Sequence, residues 1–152
     1  MHGKVIFLII FFAALALVPH AHAATYYVQA GATGANTGAD WDNAWKELNL
    51  IQWSVINPGD TVLIGEGTYS TRLVMSKAGS GSDSSQRIKV QRATDAGHNG
   101  HVTIRSVTVN APFTTLDGVD RGMFTITAPL GSGALIDVNT GKFTGTGSME
   151  DT

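Results

Sequence analysis

Four basic residues fall where neighbouring strands could gather them: Arg87, Lys89, Arg92 and Arg105. Side by side they would form a basic strip able to neutralise the carboxylates of an acidic chain. Solvation of an outward strand face is the commoner role of such residues, and residue type alone does not separate the two. Asp117, Asp120 and Asp137 offer carboxylate oxygens. Calcium takes about six to eight oxygens, and the chain has neither an EF-hand loop nor a glycine-aspartate nonapeptide repeat, so these aspartates suit turns better. His98 and His101 flank Asn99-Gly100 and supply two metal ligands on a polar turn without a third, so no metal site is expected. Gly79-Ser80-Gly81-Ser82 reads as a flexible connection, because a nucleophile elbow would need G-x-S-x-G. Tyr26, Tyr27, Trp41, Trp45 and Trp53 could stack on sugar rings, yet their place near the start of the chain favours packing.

The elements that must hold these residues are mostly short β runs. Thr25 to Gln29 is aromatic and β-branched and reads as a strand, followed by a Gly/Ala/Thr/Asn loop from Gly31 to Asp40. Trp41, Trp45, Leu48, Ile51 and Val55 then recur every three or four residues, which predicts one amphipathic helix ended by Asn57-Pro58-Gly59-Asp60. Beyond it lie runs at Thr61 to Ile64, Arg72 to Met75, Arg87 to Arg92, Val102 to Arg105, Val107 to Val109, Met123 to Thr127 and Leu135 to Val138. In Arg87 to Arg92, alternation puts Ile88 and Val90 on one face and Arg87, Lys89 and Gln91 on the other.

No second helical pattern separates these runs, which excludes a doubly wound α/β sheet and leaves an antiparallel sandwich or a parallel solenoid. Starts at Thr61, Arg87, Phe113 and Leu135 recur at solenoid-like intervals, and hairpin dipeptides are scarce, so the solenoid is preferred. The expected fold is all-β: the first coils of a right-handed parallel β-helix over 61–152, after a segment 24–60 whose strand, loop and α-helix cap the first coil. The glycines, Asn110 and Asn139 suit turns, where stacked asparagines can hydrogen-bond to one another.

Val5 to Val18 is an unbroken apolar run after His2 and Lys4, and it is followed by Pro19 and Ala21-His22-Ala23. That is a signal-peptide pattern, shorter than the ~20 apolar residues a spanning helix needs. Cleavage after Ala23 removes residues 1–23 and leaves 129 of the 152, with nine basic against twelve acidic residues, a net charge of −3. A slightly acidic chain without long charge runs gives no reason to expect nucleic acid, or a membrane once the leader is gone, as partner. The expected location is secreted, periplasmic or cell-surface, and with no cysteine the fold must rest on packing and hydrogen bonds.

TYYVQAGATGANTG, ADWDNAWKELNLI, NPGDTVLIGEGTYS, SGSDSSQRIKVQRA and FTTLDGVDRGMFTI follow one another in an order that resembles the N-terminal part of exported parallel β-helix proteins of the pectate-lyase-like superfamily. The resemblance implies the fold and an extracellular polysaccharide as ligand or substrate. It does not choose among lyases, hydrolases, epimerases, esterases and adhesin-like surface proteins. A lyase on uronate polymers would use calcium or arginine against the carboxylate, plus a base, which makes Arg87, Lys89, Arg92 and Arg105 the substrate-binding candidates. A polygalacturonase-type hydrolase would show Asn-x-Asp, which is missing. Family members run through many more coils, with active sites on the outer sheet face of central ones. The chain is therefore expected to be a fragment, the alternative being a short protein that stacks on a partner, and, because its acidic and basic candidates lie on scattered turns, to have no polysaccharide-cleaving activity of its own and no cofactor unless a longer parent binds calcium. The competing reading is a non-enzymatic, adhesin-like solenoid.

Overall fold

The structure, a computed structural model, describes residues 22–81, 83–127 and 136–138. The apolar run at residues 5–18, Asn139 and the tail from Gly141 lie outside the described residues. The strands are β1 (Thr25–Val28), β2 (Thr61–Ile64), β3 (Gly67–Tyr69), β4 (Leu73–Met75), β5 (Ile88–Arg92), β6 (Val102–Ile104), β7 (Val107–Val109), β8 (Thr114–Asp117), β9 (Phe124–Ile126) and β10 (Ile136–Val138).

They pair into three sheets, ordered β1-β2-β5-β8, β3-β6-β9 and β4-β7-β10. Among the described residues every strand pairing is parallel. The chain visits the sheets in turn, so β2-β3-β4, β5-β6-β7 and β8-β9-β10 are successive circuits and each sheet gains one strand per circuit. The described residues are all-β, built from parallel sheets with almost no helix.

Register places like on like. Val62 faces Val90 in the first sheet, and Leu73 and Met75 face Val107 and Val109 in another. Val62, Ile64, Ile88, Val90, Val102 and Ile104 are fully buried, as their alternation predicts. With Leu73, Met75, Tyr69 and Val107 they form one core between the three sheets.

The α-helix expected from Trp41 to Val55 is not formed. This stretch holds a parallel bridge between Trp45 and Val28 and a single 3-10 turn at Leu48–Leu50. Backbone bonds from Trp45 N to Tyr27 O and from Gln29 N to Trp45 O, both 2.9 Å, hold the chain extended beside β1. A 3-10 turn also brings residues three apart onto one side, which reproduces part of a helical stripe without a helix. Trp45, Leu48 and Ile51 are therefore buried, whereas Trp41 is only half-buried and Val55 is exposed.

Two further differences concern the strands. Gly67–Tyr69 is a strand of its own. The run aligned with the first sheet at residue 135 instead pairs, as β10, with β7 in the third sheet. Loops of unequal length break the sequence period: Thr61 pairs with Lys89, but Leu73 pairs with the more distant Val107.

Candidate functional site

The outer face of the β3-β6-β9 sheet brings together threonine hydroxyls and a histidine. Each of its strands is three residues long, so the end residues can point inward while the middle one points out. The middle residues are Thr68, Thr103 and Thr125, and the register stacks them in one column. His101 lies two residues before Thr103, and Arg105 directly follows β6, two residues after it; both are exposed. The imidazole of His101 joins the column: Nδ1 is 3.2 Å from Thr103 Oγ1 and Nε2 is 3.0 Å from Thr125 Oγ1. Glu66 borders this face, its Oε2 accepting the Gly100 N–H at 2.7 Å. The arrangement presents hydroxyls, an imidazole and a guanidinium along adjacent strands, a set suited to hydrogen-bonding a polyhydroxylated chain.

A polar and aromatic corner adjoins it. Trp41 stacks on His98 with ring centroids 4.0 Å apart, and Tyr27 meets Trp41 edge-on at 4.7 Å. Trp41 Nε1 donates to Asp95 at 3.1 Å, and His98 Nδ1 lies 3.0 Å from Gln29 Oε1. Gln29 in turn donates to the Glu66 carbonyl at 2.9 Å. This network joins the loop after β1 to the turns after β2 and β5. The remaining aromatics pack: Tyr26 stacks on the buried Trp45, and Trp53 lies against the core.

The four basic candidates do not form one strip. Lys89 is exposed on the outer side of β5, and Arg87 is half-buried just before that strand. Arg105 directly follows β6, a strand of a different sheet. Arg92 is buried, and the reason is parity: it follows Ile88 and Val90 at steps of two, so it points inward. Its guanidinium pairs with the Asp120 carboxylate and donates to the carbonyls of Asn99 and Gly118.

Asp117 accepts the Val119 N–H at 2.8 Å, a turn contact, and Asp137 stands opposite Thr108 in the β10-β7 register. His98 and His101 have separate partners, and among the described residues no three His, Cys, Asp or Glu side chains gather as a metal site. Among the described residues no helix is long and apolar enough to cross a membrane. The threonine column escaped the sequence reading, although a signal was present in Gly67-Thr68-Tyr69, Val102-Thr103-Ile104 and Phe124-Thr125-Ile126, each with threonine between two inward positions. Comparison with family models, with curated proteins and with solved structures finds no match to this chain.

Proposed function

We propose that the chain belongs to an exported right-handed parallel β-helix protein of the pectate-lyase-like kind, and that the outer face of the β3-β6-β9 sheet binds extracellular polysaccharide. Parallel pairing in three sheets, each fed by successive circuits, supports the β-helix, and the strong preference of parallel crossovers supports the right hand. The observation that carries the binding reading is the His101, Thr103 and Thr125 cluster with exposed Arg105 beside it. Arg105 suits an acidic sugar, and the threonine hydroxyls suit its hydroxyl groups.

Binding is a better reading than cleavage for these residues. Both His101 nitrogens already face threonine hydroxyls, and the Glu66 carboxylate is engaged by backbone, so the face shows no acid and base converging on one position. The same observation is compatible with a non-enzymatic surface protein.

Affinity electrophoresis through gels containing alginate, polygalacturonate or a neutral glucan tests the reading. Arg105→Ala should weaken retention by the acidic polymers roughly fivefold, the worth of about 1 kcal/mol at an exposed charge, and His101→Ala should weaken it too. Lys89→Ala, on another sheet, should leave it unchanged. Equal loss in Lys89→Ala and Arg105→Ala, or no retention of the parent protein, would refute the assignment.

A further inference from the structure

Asp60 is 2% exposed, yet among the described residues no basic side chain pairs with it. It directly precedes β2, and Ala24 directly precedes β1, so continuing the Thr25↔Thr61 register sets the two side by side. Asp60 Oδ1 accepts the Ala24 N–H at 2.7 Å, and Oδ2 accepts the Asn57 N–H at 2.7 Å. The Thr61 N–H donates to Ala24 O at 2.9 Å, which fixes the Ala24 backbone from its other side. Burial first, and the Asp60 charge second, hold the nearby Tyr26 phenol above its ordinary value. Among the described residues this buried carboxylate thus meets two neutral N–H donors and no cation.

The missing cation has a source in the sequence. Ala24 is the residue that becomes the N-terminus if the leader is cut after Ala21-His22-Ala23, and His22 and Ala23 are exposed. We infer that hydrolysis of the Ala23–Ala24 peptide bond creates an α-ammonium that forms an ion pair with the buried Asp60 carboxylate, so that processing completes the attachment of β1 to β2.

Water supplies the balance. Its hydroxyl goes to the Ala23 carbonyl carbon, the C–N bond breaks, and the released Ala24 amine takes up a proton at neutral pH. The catalyst is a signal peptidase of the export route. An amide offers Asp60 a single neutral donor, whereas the ammonium offers three donors and a unit charge at the same place. The inference rests on the export reading and adds to it a role for Asp60.

The test uses the exported protein and a form that retains Ala23 in front of Ala24. Intact mass should show the exported chain starting at Ala24. Its terminal amine should react with an amine-selective reagent roughly tenfold more slowly than that of the Ala23 form, because a charge-assisted hydrogen bond must open first. Its urea midpoint should be higher, and Asp60→Asn should abolish that difference. If Asp60→Asn does not fold, the labelling rates of the two native-sequence forms decide. Equal labelling rates in a chain that does start at Ala24 overturn the ion pair and leave export standing. An exported chain starting at another residue overturns the ion pair and leaves export standing, whereas a chain that keeps residues 1–23 overturns the export reading and the ion pair with it.

Discussion

The Arg92 guanidinium, 3% exposed as a side chain, reaches Asp120, whose side chain is 65% exposed, and the carbonyls of Asn99 and Gly118. It therefore pins the turn after β5 to the turn after β8. The two partners contribute unequally, because water can serve Asp120 but not the buried guanidinium. Arg92→Met should destabilise by about 3 kcal/mol, since the carbonyls lose a charged donor in a buried place. Asp120→Ala should cost about 1 kcal/mol or less. Urea midpoints of the two variants check the ranking, and equal losses would contradict it. The sequence reading groups Arg92 with the outward basic residues, whereas its step of two from Ile88 and Val90 turns it inward and it is buried. Its carbonyl partners were not legible, because they come from turns whose paths the sequence pattern leaves open. The same limit hid the His101 cluster: Thr125 reaches His101 through strand register, across 24 residues of chain.

At the level of elements, the segment from Trp41 to Ile56 contributes Trp45, Leu48, Ile51 and Ile56 to the core without an α-helix. Trp45 is fully buried, stacked on Tyr26 at 5.6 Å and bridged to Val28. Gly38, at φ +76, leaves room for the indole, since a Cβ there would lie 2.6 Å from the ring. Trp45→Ala should destabilise by about 3 to 5 kcal/mol, the range for emptying a fully buried aromatic site. An unchanged denaturation midpoint would show that this end of the core does not depend on the ring.

Glu47 holds the same segment to the turn after β3. Its two carboxylate oxygens accept from the N–H and hydroxyl groups of Ser70 and Thr71, at 2.9 to 3.4 Å. Desolvation by itself would raise the carboxyl, but these four bonds together outweigh it and hold the group below its ordinary value of 4.5. A depressed folded value means that the contribution is complete above the unfolded value and is lost as pH falls through the folded one. Glu47→Gln should therefore lower the urea midpoint at pH 7, and the gap to the parent protein should close as pH drops below about 4.5. A gap that stays constant down to pH 3 would contradict the clamp. The apolar stripe was readable in this segment, but its backbone was not: the Trp45 bridge to β1 is a long-range contact that overrides a weak local helical preference.

For the whole molecule, residue pattern picks out most of the β runs but not β3, and the alternation in β5 places Ile88 and Val90 inward, where both are fully buried. Which sheet each strand joins depends on loop lengths, so the run at β10 aligns by sequence interval with the first sheet but pairs with β7 in the third, while β3, three residues beginning with glycine, is too short to stand out in the pattern. The strands stack in parallel, and that register brings Thr68, Thr103 and Thr125 into one column and keeps Lys89 and Arg105 on different sheets. The chain has no cysteine, so pairs of introduced cysteines report register without interference. Parallel β2 and β5 place Thr61 beside Lys89 and Leu63 beside Gln91, all on the outward parity. Neighbours in adjacent strands lie ~4.8 Å apart, within reach of a disulfide, whereas diagonal positions lie ~8 Å apart and outside it. Mild oxidation of the Thr61→Cys/Lys89→Cys and Leu63→Cys/Gln91→Cys proteins should give intramolecular disulfides in high yield, and the crossed pairs Thr61→Cys/Gln91→Cys and Leu63→Cys/Lys89→Cys should stay reduced. The reverse pattern, with the crossed pairs oxidised and the direct pairs reduced, would mean antiparallel strands and would contradict the account.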